Sequence, residues 1–384
     1  MSVNSPAGQI RYSSQNSLRQ HASTANSDML TPDGLVPTWA AEATRAMTGS
    51  TSLAENYAFC GVYHIFDVHK DIVTSVQFAH DDLTKLASSS LDGSLAVHIV
   101  LPEPETCFVL KHPKGVTGFC WSYSNDLIMS CSEDGYARLF NSSNGVCVRA
   151  IHGVQQGAAV LTGIFHPVNN NMIITGSSKG NVEVTNCSTG IKPRGSTAKV
   201  NAPVLSLCFD NDGHVLWSGD ERGFITSLFY SVENNRLTKG KRFSVAGSNP
   251  VTCISMRQWI SREAREPSLL VNCSSNALYL FRIVGPTKSA ILLRRTFPIS
   301  HNSPSLKIRS CFCPIMSFRQ GACVVTGSED GSVYFFNAER ANKACINKLQ
   351  GHSAPVIDVS FNYDESMLAS CDSQGQVIVW KKEP

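Results

Sequence analysis

Apolar and polar positions alternate with a period of two through most of this chain, in short runs broken by small polar turns. Before each turn lies an apolar segment ending in small residues: Lys85-Leu-Ala-Ser88, Leu127-Ile-Met-Ser130, Met172-Ile-Ile-Thr175, Val215-Leu-Trp-Ser218, Val324-Val-Thr326 and Met367-Leu-Ala-Ser370. After the turn comes an alternating segment, as in Asn181-Val-Glu-Val184, Ser332-Val-Tyr-Phe-Phe336 and Gln376-Val-Ile-Val-Trp380. β-Branched and aromatic residues at period two, punctuated by Gly and Asp, predict β-hairpins. A third strand precedes each hairpin: Val73–Phe78, Val116–Trp121, Val160–Phe165, Val204–Phe209, Val251–Met256 and Val356–Phe361, with Ile308–Cys313 fitting less cleanly. Apolar ends with small residues between them predict an innermost strand buried on both faces.

The turns recur. Leu91-Asp92-Gly93, Glu133-Asp134-Gly135 and Glu329-Asp330-Gly331 are the clearest, and weaker copies centre on Lys179, Arg222, Asn276 and Gln374. Positions 92, 134, 179, 222, 276, 330 and 374 are separated by 42 to 54 residues. Such spacing, with four strands per repeat, predicts an all-β chain folded as a seven-bladed β-propeller over residues 51–384. The last repeat reaches Trp380 without an outer strand. Phe59–Phe66, conversely, reads as a strand without a blade. Phe66 stands three residues before His69, as Leu349 stands three before His352. The N-terminal strand is therefore expected to complete blade seven and close the ring. Residues 1–50 read as a Ser/Asn/Thr-rich disordered tail, with a short helix near 38–47.

The last repeat, Gly351-His352-Ser-Ala-Pro-Val356 through Leu368-Ala-Ser370 to Val377-Ile-Val-Trp380, resembles the WD-repeat family. That resemblance implies a structural set within each blade made of a His, a Ser or Thr, a turn Asp and a Trp. By position these fall on His352, Ser370, Gln374 and Trp380. Gln at the acid place removes the charge-assisted orientation of His352. Blade one offers His69, Ser88 and Asp92, with His98 at the Trp place. Blade two offers His112, Ser130 and Asp134, with Phe140 there. Blade six keeps Thr326 and Asp330. Stretches such as Val36–Met47, Ser261–Leu270 and Cys313–Asp330, several of them lying in connections, are similar to one member of the family in particular. That similarity implies a largely nuclear protein, also present in the cytoplasm, that is not an enzyme and associates with chromatin or transcription regulators.

Composition narrows the chemistry. The 384 residues carry a formal net charge of only +3, so no direct nucleic-acid binding is expected. No apolar run approaches the roughly 18–20 residues needed to cross a bilayer, and Met1–Leu30 has no apolar core of signal-peptide length. Both features predict a soluble intracellular chain. Fourteen cysteines occur without any CxxC pair, which predicts reduced thiols packed in strands. Cys131, Cys273 and Cys371 share one register, three residues before the turn position. Gly176-Ser-Ser-Lys-Gly180 matches the letters of a hydrolase elbow but falls between two strands, where that motif has no use. No catalytic, metal or cofactor site is predicted, and no small-molecule substrate.

What remains is binding of other proteins. Two connections are about ten residues longer than their counterparts, Arg257–Pro267 and the stretch around Gly285–Ser305. Arg257, Trp259, Arg262 and Arg265 combine an aromatic with guanidinium groups, the types enriched at binding hot spots. They are the candidate protein-binding loop, set against a plain solvated loop. Lys239-Gly-Lys-Arg242 is a basic cluster that reads either as a solvated face or as a weak nuclear address. The alternative function is a reader of a modified histone tail or other peptide at the central channel. Methyl-lysine capture there requires an aromatic cage, with Tyr63, Trp121, Phe165 and Phe312 as candidates.

Overall fold

A computed structural model describes residues 59–153, 157–245, 247–257, 267–285, 287, 289–314, 323–340 and 342–382. The expected tail and helix of residues 1–50 lie outside them, as do Trp259, Arg262 and Arg265. Among the described residues, 28 strands form seven antiparallel four-stranded sheets.

The chain begins with β1 (Phe59–Phe66). Blade one is β2 (Val73–Phe78), β3 (Lys85–Ser90), β4 (Ser94–Ile99) and β5 (Glu105–Lys111). Blade two is β6 (Val116–Trp121), β7 (Leu127–Ser132), β8 (Tyr136–Asn141) and β9 (Cys147–His152). Blade three is β10 (Val160–Phe165), β11 (Met172–Ser177), β12 (Asn181–Asn186) and β13 (Thr197–Lys199). Blade four is β14 (Val204–Phe209), β15 (Val215–Asp220), β16 (Phe224–Ser231) and β17 (Arg236–Ser244). Blade five is β18 (Val251–Arg257), β19 (Ser268–Cys273), β20 (Ala277–Val284) and β21 (Ala290–Pro298). Blade six is β22 (Ser310–Phe312), β23 (Cys323–Thr326), β24 (Ser332–Asn337) and β25 (Cys345–Gln350). Blade seven is β26 (Val356–Phe361), β27 (Met367–Asp372) and β28 (Val377–Lys382), completed by β1.

The closing pair runs antiparallel, with Phe66 opposite Val377, Val62 opposite Trp380 and Phe59 opposite Lys382. An N-terminal strand therefore finishes the last blade, as the sequence predicts. Phe66 is buried among Val76, Phe78 and Val377 and stacks on His98 at 4.1 Å.

The turn chemistry corrects one register. In six blades the residue with positive φ is the turn glycine, for example Gly93 at 84°, where a Cβ would stand 2.9 Å from the His112 carbonyl oxygen. In blade five that conformation is taken by Asn276, at 57°. Asn tolerates the left-handed region, so Asn276 occupies the glycine place and the blade-five alignment shifts by one residue. Cys273 thus sits at the end of its strand, outside the register of Cys131 and Cys371, although all three are fully buried. The elbow-like Gly176–Gly180 spans the β11–β12 turn.

Neighbouring blades are hooked together at their inner strands. Thr74 donates to the Val116 carbonyl at 2.8 Å, Thr117 to Val160 at 2.7 Å and Thr252 to Ile308 at 2.8 Å. Each hook follows a valine, a Val-Thr pair repeated in the sequence. Blades four and five are joined by Ser206 Oγ, which accepts from Ile254 N at 2.8 Å. Asp358 of blade seven accepts from Ser75 Oγ at 2.8 Å and Val76 N at 3.1 Å in blade one, so the ring is latched beside its closing sheet.

Candidate functional site in the axial channel

The frame comes first, because it sets which side chains remain free. In blade one His69 lies 2.7 Å from Ser94 Oγ through Nδ1 and 2.7 Å from Ser88 Oγ through Nε2. Ser94 in turn donates its hydroxyl to Asp92. Ser88 Oγ also meets His98 Nε2 at 2.9 Å, and His98 Nδ1 meets Thr106 at 3.0 Å. The result is one hydrogen-bonded chain from turn to outer strand, in which His98 makes the bond that a tryptophan makes in blade seven. There Trp380 Nε1 donates to Ser370 Oγ at 2.8 Å, and His352 Nε2 reaches the same oxygen at 2.7 Å.

The acid of blade seven is Asp372, whose Oδ2 lies 2.9 Å from His352 Nδ1. Gln374, at the turn position, is exposed, and its Oε1 accepts from Ser353 Oγ at 3.4 Å. The expected loss of charge-assisted orientation is thus overturned: the acid has moved two residues upstream, to the end of β27. Burial alone would raise the Asp372 carboxyl, but hydrogen bonds from His352 and the backbone amides of Gln376 and Gln374 together hold it below the usual carboxylate range. Asp220 takes the same place at the end of β15, accepting from Arg222 N and Phe224 N, but its cation is Arg242 at 3.0 Å. The signal was present as Asp-x-x-Gly, read in place of x-x-Asp-Gly. Replacing Asp372 by Ala should lower unfolding stability by roughly 3 kcal/mol, because it strands a buried imidazole. Gln374→Ala should stay within about 0.5 kcal/mol. Urea unfolding of the two variants measures the contrast.

The remaining blades keep less of the set. His112 meets Ser130 at 2.8 Å, but Asp134 pairs with Arg138 at 2.7 Å instead of reaching the histidine. In blade six Asp330 accepts from Tyr334 at 2.6 Å and Lys348 at 3.1 Å. Thr326 Oγ1 instead receives a bond from Asn272 Nδ2 of blade five at 3.2 Å. These are scaffold bonds within and between blades, and none of them opens toward a substrate.

Arg257 was expected on a presented loop. It is the last residue of β18 and fully buried, over the Phe312 ring at 5.3 Å, with one bond to Ser268 Oγ at 3.4 Å. Burial lowers its pKa to about 10, against the pull of Glu339. It therefore packs the blade and is not offered to a partner. Arginines of two basic clusters are likewise engaged. Arg294 forms a two-point pair with Glu339 at 3.0 and 2.5 Å, clamping blade five to blade six. Arg242 lies 3.7 Å over the Phe224 ring as well as on Asp220.

At the ring's axis the inner strands of all seven blades surround a cavity of about 290 Å³. Of the four aromatics proposed for a cage, only Phe312 lines it. Trp121 is buried and donates to the Gln77 carbonyl at 3.2 Å, Phe165 packs with Met129 and Ile173, and Tyr63 stands on β1. Three thiols, Cys120, Cys253 and Cys311, also line the wall. Burial pushes each of them up, so they are protonated and poor nucleophiles. The residue that sequence reasoning missed is Arg309. It takes the register of the threonine hooks, with its amide donating to the Ile357 carbonyl at 2.7 Å. Its side chain reaches toward blade two on the opposite wall, where Nη2 would lie 3.1 Å from a Cβ added at Gly118.

Fold, blade chemistry and axial cavity together define a seven-bladed β-propeller of the WD-repeat type, a class that is generally non-catalytic. Among the described residues, no group of three or more His, Cys, Asp and Glu side chains is arranged to hold a metal ion. The family model for the WD domain, G-beta repeat, matches residues 61–98, 105–141 and 343–381. The chain is distantly similar to several WD-repeat proteins. It is 24% identical to Jouberin of Rattus norvegicus over 77% of this chain and 28% of that protein. It is also 24% identical to the WD repeat-containing protein WDS homolog of Arabidopsis thaliana, over 82% of this chain and 56% of that one. Identity to the COMPASS component SWD3 of Saccharomyces cerevisiae is 21%, over 71% of this chain and 84% of that protein. The chain thus spans little more than a quarter of Jouberin and about half of the Arabidopsis relative.

Proposed function

We propose that this propeller is a non-enzymatic scaffold in nuclear complexes of chromatin or transcription regulators. The observation that carries the reading is a set of stretches, Val36–Met47, Ser261–Leu270 and Cys313–Asp330 among them, several of which lie in connections. Several of these stretches resemble WD repeat-containing protein thirteen, Cys313–Asp330 in part over strand β23 itself. A relative named as a component of COMPASS, matched over most of its own length, supports the same reading. Protein binding by the ring itself follows from the closed, latched frame, which presents rigid turns at both ends.

A methyl-lysine reader at the channel is the weaker alternative. A guanidinium in the cavity opposes entry of a second cation, and one of the four proposed aromatics lines the wall. The test is fractionation of cells carrying the tagged chain, followed by crosslinking with mapped sites. The reading expects nuclear recovery with chromatin or transcription regulators crosslinked to the propeller. Recovery confined to the cytosol, or no stoichiometric partner in the nucleus, would remove it.

A further inference from the structure

The axial cavity holds a guanidinium whose Nε has no hydrogen-bond partner. Arg309 extends into it with five N–H donors. Its Nε is buried and has no hydrogen-bond partner, and no carboxylate among the described residues lies within ion-pair distance of the guanidinium. Asp358 is the one acid among the residues lining the cavity, and it is spoken for. Its Oδ2 accepts from Ser75 Oγ and Val76 N, and its Oδ1 accepts from Val359 N at 2.8 Å. Those bonds latch blade seven to blade one. Lys307, two residues before Arg309, feels Glu133 and Glu221 on neighbouring turns, so that cation has its own counter-charges. A second orphan, Ser310 Oγ, is buried without a partner on the next residue of the same strand. Gly118 leaves room for the guanidinium on the far wall.

A guanidinium with an unpartnered buried Nε, balanced through space by an acid already bonded elsewhere, keeps donor capacity for a ligand. Methionine at this position would fill the space without a charge. The planar fork is the group that recognises planar or tetrahedral oxyanions by two parallel hydrogen bonds. A cavity of about 290 Å³ accommodates one such group, and with it the end of a side chain. We propose that the channel is an oxyanion site, in which Arg309 pairs with a carboxylate or phosphate group delivered along the axis. This is independent of which complex the rim serves. It reverses the charge of ligand expected for the channel: an acidic group, not a methylated lysine.

The oxyanion has two sources, a free anion or an acidic side chain of a bound peptide. Calorimetric titration of the full chain at constant ionic strength separates them. Inorganic phosphate is the first probe. The second is a set of identical short peptides carrying Ser, Glu or phosphoserine at one position. The same titrations are run on Arg309→Met and Arg309→Lys. Saturable binding of phosphate alone identifies a free anion. Binding of the Glu or phosphoserine peptide but not the Ser peptide identifies a delivered side chain. In either case affinity should fall at least about tenfold in Arg309→Met and by less in Arg309→Lys, which keeps the charge but not the fork. Arg309→Met should still melt cooperatively in anion-free buffer. If it does not fold, Arg309→Lys, with unchanged melting and reduced affinity, carries the test. Equal binding by wild type and variants, or no binding of phosphate or acidic peptide by the wild type, overturns the proposal. Neither outcome touches the scaffold reading, which depends on crosslinked partners.

Discussion

Deleting residues 59–66 should abolish the cooperative fold of this propeller, and Phe66→Ala should cost about 3 kcal/mol or more. The deletion removes the whole ladder from Phe66–Val377 to Phe59–Lys382 and leaves β28 as the open outer edge of blade seven. It also uncovers the blade-one relay, since Phe66 stacks on His98 at 4.1 Å and closes the cluster containing Val76, Phe78 and Val377. The Asp358 latch to Ser75 and Val76 sits beside that cluster and would then bridge two loosened sheets. Circular dichroism and calorimetry of the deleted chain should show no sharp transition, while Phe66→Ala keeps one at a lower temperature. A deleted chain that melts like the intact protein would mean that β1 contributes nothing to closure.

The second large effect is acid lability. Burial lowers His69 to about 4, although Asp92 raises it and Lys111 lowers it further. Burial also lowers His98 to about 3, with His69 and His64 adding to the effect, and His112 to about 4, where Arg138 adds to it and Gly93 and Asp134 oppose it. The sign follows from which state binds more protons. Below pH about 6.5 the unfolded chain takes up protons on these imidazoles while the folded chain does not. Stability is therefore at its full value above that pH and falls as pH drops toward 4. The loss is on the order of 3 kcal/mol for each of His69 and His112 at the bottom of the window. A domain with net stability of about 5–15 kcal/mol cannot absorb several such losses. The melting temperature should be flat from pH 8 to 7 and drop steeply between pH 6 and 4. His98→Trp, which restores to Ser88 the bond that Trp380 gives Ser370, should make the fall shallower. Overpacking against Phe66 should cost it no more than about 2 kcal/mol at neutral pH. A melting curve independent of pH over this range would contradict buried neutral imidazoles.

Legibility in the sequence followed the physics of each element. Strand order, blade count and closure were readable because period-two burial and positive-φ turns are local constraints that leave a residue pattern. Asn276 misled by one position because a single residue served as both turn centre and left-handed residue, the work that Asp92 and Gly93 divide between them. Asp372 was missed because a carboxylate can reach the same imidazole from the strand end or from the turn, and only geometry tells which. The Val-Thr hooks were visible as a repeated pair but unreadable as bonds, since their acceptors belong to the next blade. Arg309 was concealed in the copy that fitted least well, Ile308–Cys313. A long cation among small residues looked like degeneracy there, and only the ring's closure places it on the axis. Arg257 was misjudged for the opposite reason: it adjoins a long connection, yet β18 continues one residue further and buries it.

The pairing of β1 with β28 also imposes a schedule on the protein's birth. The two partners, Phe66 and Val377, are separated by almost the entire propeller. At about 5–20 residues per second, a ribosome needs roughly 15–60 s to make the intervening chain. Throughout that time six blades can assemble in sequence while β1 waits with its backbone unpaired. The strand that finishes the ring is therefore the first to be exposed and the last to be satisfied, and nascent chains should lean on folding helpers for that interval.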